Sequence, residues 1–362
     1  MKRLGLLVLQ IALAWVLCSG VYAQGVSGRW SEERVNAWYA EKGWPVGCNY
    51  VTSTAINSIE MWQGETFDPK TIDREMKWAE SLGFNTIRIF LNALVYEDDP
   101  AGFKKRFERV LRILDKHGMR ALVTFFTNGG KPDGKLGKQM DFVKGLHSPG
   151  WKQSPGMDIV NDPMKWGKIE VYVKDIMSTY KDDDRILMWC LYNEPENLQG
   201  GKVNTLPLLR AVFGWAREVN PSQPLTAPMW LMPCYTESST YLPIVCFLGE
   251  NCDVMTFHCY ESPEYMKKFI GYLKQFNRPI VCTEYLTRRD GNTFENCLPL
   301  MKGENVGAIN FGLVQGKCGF YYHWTSKEGA EEPELWFHDI LRKDGTPYKT
   351  EETDFIRTMT RK

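Results

Sequence analysis

Eight short, largely apolar runs recur along this chain, interleaved with segments of helical spacing, and that alternation leaves few folds open. The strand-like runs are 46–50, 84–90, 119–126, the run that starts at Arg185, 224–227, 253–260, 278–286 and 306–311. Helical spacing marks 31–42, 71–82, 101–117, 163–180, 206–219, 263–276 and 294–302, with Ser31 as a cap and Gly83 and Gly118 as stops. Strands apolar on both faces belong to parallel sheets covered on both sides. Eight such β/α units, at about 30 to 45 residues each, close a barrel. A doubly wound open sheet is the rival, and the lack of a glycine-rich phosphate turn after the first strand counts against it. The expected fold class is therefore α/β, a single-domain (β/α)8 TIM barrel over residues 24–362.

Residues 1–23 have the pattern of an export signal. Lys2 and Arg3 precede an apolar stretch at 4–17, too short to span a bilayer, and Val21-Tyr22-Ala23 forms a cleavage pattern. Removal before Gln24 and a secreted or periplasmic protein are expected. A lipoprotein through Cys18 is the lesser reading, because the bulky Leu17 precedes it. No later stretch spans a membrane. Lysines and arginines number 44, as do aspartates and glutamates. A neutral chain without charge blocks lacks the basic surface that nucleic acid requires. Of ten cysteines, the nine beyond the signal include Cys190, Cys259 and Cys282 inside apolar runs, where a free thiol packs as a small hydrophobe. Cys246 and Cys252 are spaced closely enough to bridge. The five histidines form neither HxH nor HExxH and no CxxC occurs, so neither a metal site nor a cofactor is expected. A monomer is expected.

The chemistry sits in Arg185-Ile-Leu-Met-Trp-Cys-Leu-Tyr-Asn-Glu-Pro-Glu-Asn197, an apolar run that turns abruptly polar. Pro195 ends the strand and leaves Glu194 where barrel folds place their active groups. Arg278-Pro-Ile-Val-Cys-Thr-Glu-Tyr-Leu286 repeats the plan and ends on Glu284. At the ends of the fourth and seventh strands, two glutamates face each other across the barrel mouth. At about 5 to 5.5 Å apart they suit a retaining glycosidase, with ionised Glu284 as nucleophile and protonated Glu194 as acid, then base. The 13 Trp, 16 Tyr and 18 Phe supply flat faces suited to sugar rings. The long loop at 127–162 carries His147 and Trp151, and loops of that length are often functional.

At these residues the sequence resembles the clan A glycoside hydrolases, especially families 5 and 2, through Asn193-Glu194-Pro195, Thr283-Glu284-Tyr285, His258-Cys-Tyr260 and Arg88. It also resembles secreted bacterial single-domain proteins described as cellulase-like or xylanase-like, through Thr66-Phe-Asp-Pro69, Trp336-Phe-His-Asp339 and Asp344-Gly-Thr-Pro-Tyr348. The resemblance implies a retaining β-glycosidase acting on a β-linked poly- or oligosaccharide. It implies Asn193 as a donor to the sugar 2-hydroxyl, Arg88 and Tyr260 as partners of Glu284, and His258 as a contact to a sugar hydroxyl. In these relatives the eighth strand presents a tryptophan as a sugar platform; Phe311 stands here, with Trp324 further on. The third strand ends on Thr127 and Asn128 in place of a histidine. Trp62 and Trp151 are further platform candidates. A catalytically silent, glycan-binding barrel is the alternative, and it predicts the loss of a glutamate or of its Arg and Asn support.

Overall fold

The computed structural model describes residues 26–197, 204–232 and 241–361. The expected export signal and Cys18 lie outside the described residues. Nine strand segments follow one another: β1 (Val46–Tyr50), β2 (Thr86–Phe90), β3 (Arg120–Thr124), β4 (Ile186–Cys190), β5 (Leu225–Thr226), β6 (Pro228–Met229), β7 (Met255–His258), β8 (Ile280–Glu284) and β9 (Gly307–Phe311). They are hydrogen-bonded in the order β5-β4-β3-β2-β1-β9-β8-β7-β6, and every pairing is parallel. Only Ala227 separates β5 from β6, so the two ends of the sheet are joined through one backbone and share one barrel position. The result is a (β/α)8 barrel. The single strand expected at 224–227 is these two short pieces, since Pro228 has no N–H to give the ladder.

Helices alternate with the strands. Those starting at Pro69, Pro100 and Pro263 have Asp68, Asp99 and Ser262 as N-caps, so an acceptor side chain and a pre-set φ begin each one. Trp30 and the helix Glu32–Lys42 close the base of the barrel, where Val35, Trp38 and Tyr39 pack with Leu122, Met188, Val254 and Ile309 from the strands. Gly83 has φ 75°, and a side chain there would meet Thr360 Oγ1 at 2.3 Å. That threonine belongs to a helix at Thr350–Thr360 which the spacing did not predict, because its threonines have weak helix propensity. A second unexpected helix, Tyr241–Asn251, is apolar on nearly every side and so has no helical period to read. The described helices include none long and apolar enough to cross a membrane.

Cys190, Cys259 and Cys282 are buried free thiols, as the apolar runs implied. The Cys246–Cys252 bridge is corrected: Cys252 is free, although Cys246 is disulfide-bonded. The loop after β9 is anchored by ring stacking of Trp336 on Tyr348, at 4.5 Å and 7°. Beside it Arg288 and Glu352 form a buried ion pair at 2.6 Å.

Candidate active site

Arg88 is the hub. It is fully buried on β2, and its guanidinium fork reaches the oxygens of three side chains, with Cys190 Sγ a further contact at 3.7 Å. Nη1 donates to Asn49 Oδ1 and to Glu284 Oε1, each at 2.7 Å, and Nη2 donates to Asn193 Oδ1 at 2.6 Å. Register explains the convergence, because Asn49 and Arg88 are paired across β1 and β2. Asn49 is itself fixed by donating to the carbonyls of Thr283 and Asn310. A buried charge is tolerated when it is paired and hydrogen-bonded, as both terminal nitrogens of Arg88 are, although its Nε has no partner among the described residues. Glu284, at the end of β8, receives a second bond from the Tyr260 hydroxyl at 2.7 Å. Burial, with the Glu284 and Glu194 charges nearby, pushes the Tyr260 phenol well above its usual range, so it remains a donor.

Glu194 is held differently. Its φ is 45°, a left-handed conformation that costs a non-glycine residue about 1–3 kcal/mol and persists where surroundings impose it. Asn197 Nδ2 donates to Oε2 at 2.7 Å, and His258 Nδ1 lies 2.6 Å from Oε1. Burial lowers the His258 pKa to about 3 against the pull of Glu284, so the ring is neutral. Burial likewise raises the Glu194 carboxyl, opposed by Asn197 and Arg88. One oxygen of each glutamate and one His258 nitrogen all lie within 4.8 Å of one another. Those three side chains could in number ligate a cation, but both Glu284 oxygens already accept hydrogen bonds, one from a guanidinium. The nearest carboxylate oxygens are closer than the separation of about 6.5 to 9.5 Å that leaves room for a water between two carboxyl groups.

The sequence-derived residues separate into two groups. Arg88, Asn193, Glu194, His258, Tyr260 and Glu284 converge at the mouth, and Asn193 points its amide nitrogen toward Thr127 Oγ1 at 3.4 Å. Trp324 is 51% exposed, with its ring edge to face against Tyr260 at 5.2 Å. Phe311 is partly covered by Phe320 and His338, at 4.8 and 5.1 Å. Trp151 packs on Phe90 at 5.5 Å and is half-buried. Trp62 is a correction: it is fully buried, donates Nε1 to the Phe90 carbonyl at 2.7 Å and stacks on Phe67, so it offers no face to a sugar. Asn49 and Asn197 were missed. Each was visible as a polar residue in a strand or turn already singled out.

The model of the family described as Cellulase (glycosyl hydrolase family 5) matches residues 41–315. Endoglucanase CelA of Streptomyces lividans is 24% identical over 127 residues, 34% of this chain but only 27% of that protein. The exo-β-1,4-mannosidase of Opitutaceae bacterium strain TAV5 superposes with a TM-score of 0.60 at 17% identity, over 88% of this chain and 60% of that one. The endo-β-1,4-glucanase of Xanthomonas axonopodis pv. citri gives 0.57 at 12% identity, over 88% and 99%. At such identities the superpositions speak for the barrel alone. The family match extends from just before β1 to just beyond β9, and so takes in every strand that carries a residue of the site; the chain belongs to glycosyl hydrolase family 5.

Proposed function

We propose that the chain is a retaining β-glycoside hydrolase acting on a β-1,4-linked hexose polymer or oligosaccharide, with Glu284 as nucleophile and Glu194 as acid/base. The observation that carries this reading is the meeting of two glutamates within 4.8 Å in unlike surroundings. One accepts hydrogen bonds from Arg88 and Tyr260, which suits a carboxylate. The other sits against neutral His258 with its carboxyl raised by burial, which suits a proton donor. In the first step a Glu284 oxygen bonds to the anomeric carbon while the glycosidic C–O bond breaks and Glu194 gives its proton to the leaving oxygen. In the second, Glu194 takes a proton from water, whose oxygen displaces Glu284. Asn193 Nδ2 serves as donor to the sugar 2-hydroxyl, Trp324 as platform and His258 as a further polar contact.

The β-1,4 linkage and the hexose are proposed by analogy with similar proteins described as a β-1,4-mannosidase and a β-1,4-glucanase. The silent-barrel alternative predicts loss of a glutamate or of its support, whereas Arg88 bonds Glu284 and Asn193, and Glu194 is held by Asn197 and His258. We further propose export with cleavage before Gln24 and a monomeric enzyme; N-terminal sequencing of the exported protein and its sedimentation test both. Release of nitrophenol from aryl β-glucosides, β-mannosides and β-xylosides, with parallel digests of β-1,4-linked oligosaccharides, tests the activity. Hydrolysis of none of them sinks the reading.

A further inference from the structure

His338 lies in the segment that the Trp336–Tyr348 stack anchors, and the proposed mechanism makes no use of it. Its Nδ1 is hydrogen-bonded to the Leu286 carbonyl, which can only accept, so Nδ1 carries the hydrogen. Burial pushes the ring well below the usual histidine range, next to the neighbouring His147. The imidazole is therefore neutral, its Nε2 is a bare acceptor, and no group among the described residues donates to it. His147, from the loop after β3, repeats the arrangement: Nδ1 donates to the Tyr322 carbonyl at 2.8 Å, and burial lowers its pKa to about 4. The two rings meet edge to face at 5.3 Å.

The backbone is bent to hold this geometry. Leu286 has φ 91°, a region that bulky non-glycine residues rarely enter. Its N–H donates to Asn292 Oδ1 at 2.9 Å while its carbonyl turns to His338. Strain of this kind concentrates at functional sites. The His338 ring lies 5.1 Å from Phe311, 5.6 Å from Tyr260 and 6.0 Å from Trp324. Tyr260 in turn bonds Glu284, so one side chain separates His338 from the candidate nucleophile.

We propose that His338 determines sugar specificity by accepting, at Nε2, a hydrogen bond from one hydroxyl of the sugar held between Glu194 and Glu284. Trp324 carries the apolar face of that sugar and His147 Nε2 offers a second acceptor beside the first. The inference rests on the hydrolase reading and requires a hydroxyl at the contacted position, because a carboxylate there has no hydrogen to give and meets lone pairs.

The test uses the full chain. His338→Asn keeps an N–H where Nδ1 stood and removes the distal acceptor; His338→Gln restores an acceptor at the distal position. Both are compared with the unmutated enzyme on an aryl β-glycoside and its monodeoxy analogues, one hydroxyl at a time. Removing the contacted hydroxyl costs the unmutated enzyme about tenfold in kcat/KM. His338→Asn shows no penalty at that one position and matches the unmutated enzyme on that analogue, while His338→Gln retains the penalty. An equal loss by His338→Asn on every analogue marks a packing residue and overturns the proposal, as does an unchanged penalty. If only His338→Gln folds, its loss of discrimination overturns the proposal. Calorimetric titration with the free sugars reads the same contact without turnover. Sugar binding that depends on residue 338, in a protein that hydrolyses nothing, keeps this contact and removes the hydrolase reading instead.

Discussion

Replacing Arg88 with methionine removes a charge while keeping most of the side-chain volume. The guanidinium is 0% exposed and bonds Glu284, Asn49 and Asn193 at 2.6 to 2.7 Å. Stranding the partner of a buried ion pair costs about 3–5 kcal/mol. Each orphaned amide oxygen adds about 1–3 kcal/mol, in amounts that overlap because the three partners share one network. The expected loss of stability is therefore at least about 3 kcal/mol, read as a lower urea midpoint with tryptophan fluorescence as the probe. If about 3 kcal/mol of Glu284 positioning is also lost in the transition state, kcat/KM on an activated aryl glycoside falls about a hundredfold. Adding Glu284→Gln to Arg88→Met removes the stranded charge and should recover at least half of the stability, though none of the activity. An unchanged urea midpoint for Arg88→Met, or no recovery in the double variant, refutes the reasoning that Arg88 and Glu284 stabilise each other as buried charges.

Four further outcomes are expected. Glu194→Ala keeps most of its rate on substrates with good leaving groups and loses at least about a hundredfold on unactivated oligosaccharides, as kinetics across a leaving-group series will show; an equal loss on both reverses the assigned roles. Because burial raises the Glu194 carboxyl, rising pH removes its acid form. The rate on poor leaving groups therefore falls on the alkaline side, and the pH profile of Glu194→Ala on activated substrates lacks that limb. Trp324→Ala raises KM several-fold and leaves the urea midpoint close to that of the parent. Trp62→Ala costs about 3–5 kcal/mol of stability with KM unchanged, because its ring is core.

The alternation of strand and helix was legible because both faces of each barrel strand are covered, so apolar runs stand out against amphipathic helices. Glu194 and Glu284 were legible for a related reason: each is a carboxylate at the end of such a run. What stayed hidden depended on contacts between segments far apart in the chain. Trp62 reads like any exposed aromatic until Phe67 and Phe103 are seen to enclose it. Asn49 is a single polar residue in a strand, and only the register that sets it beside Arg88 gives it a task. His338 was noticed within a motif, yet nothing local indicates that Leu286 fixes its tautomer. Cys246 and Cys252 mislead in the opposite direction, since closeness in sequence says nothing about whether two thiols can meet.

The most direct measurement of the central claim is peptide mapping by mass spectrometry after treatment with an aryl 2-deoxy-2-fluoro-β-glycoside, whose fluorine slows the second displacement and traps the first. A glycosyl group esterified to Glu284, and absent when Glu284 is replaced by glutamine, is the predicted result. A label on any other side chain, or complete turnover to an inverted product with no covalent adduct, contradicts the account.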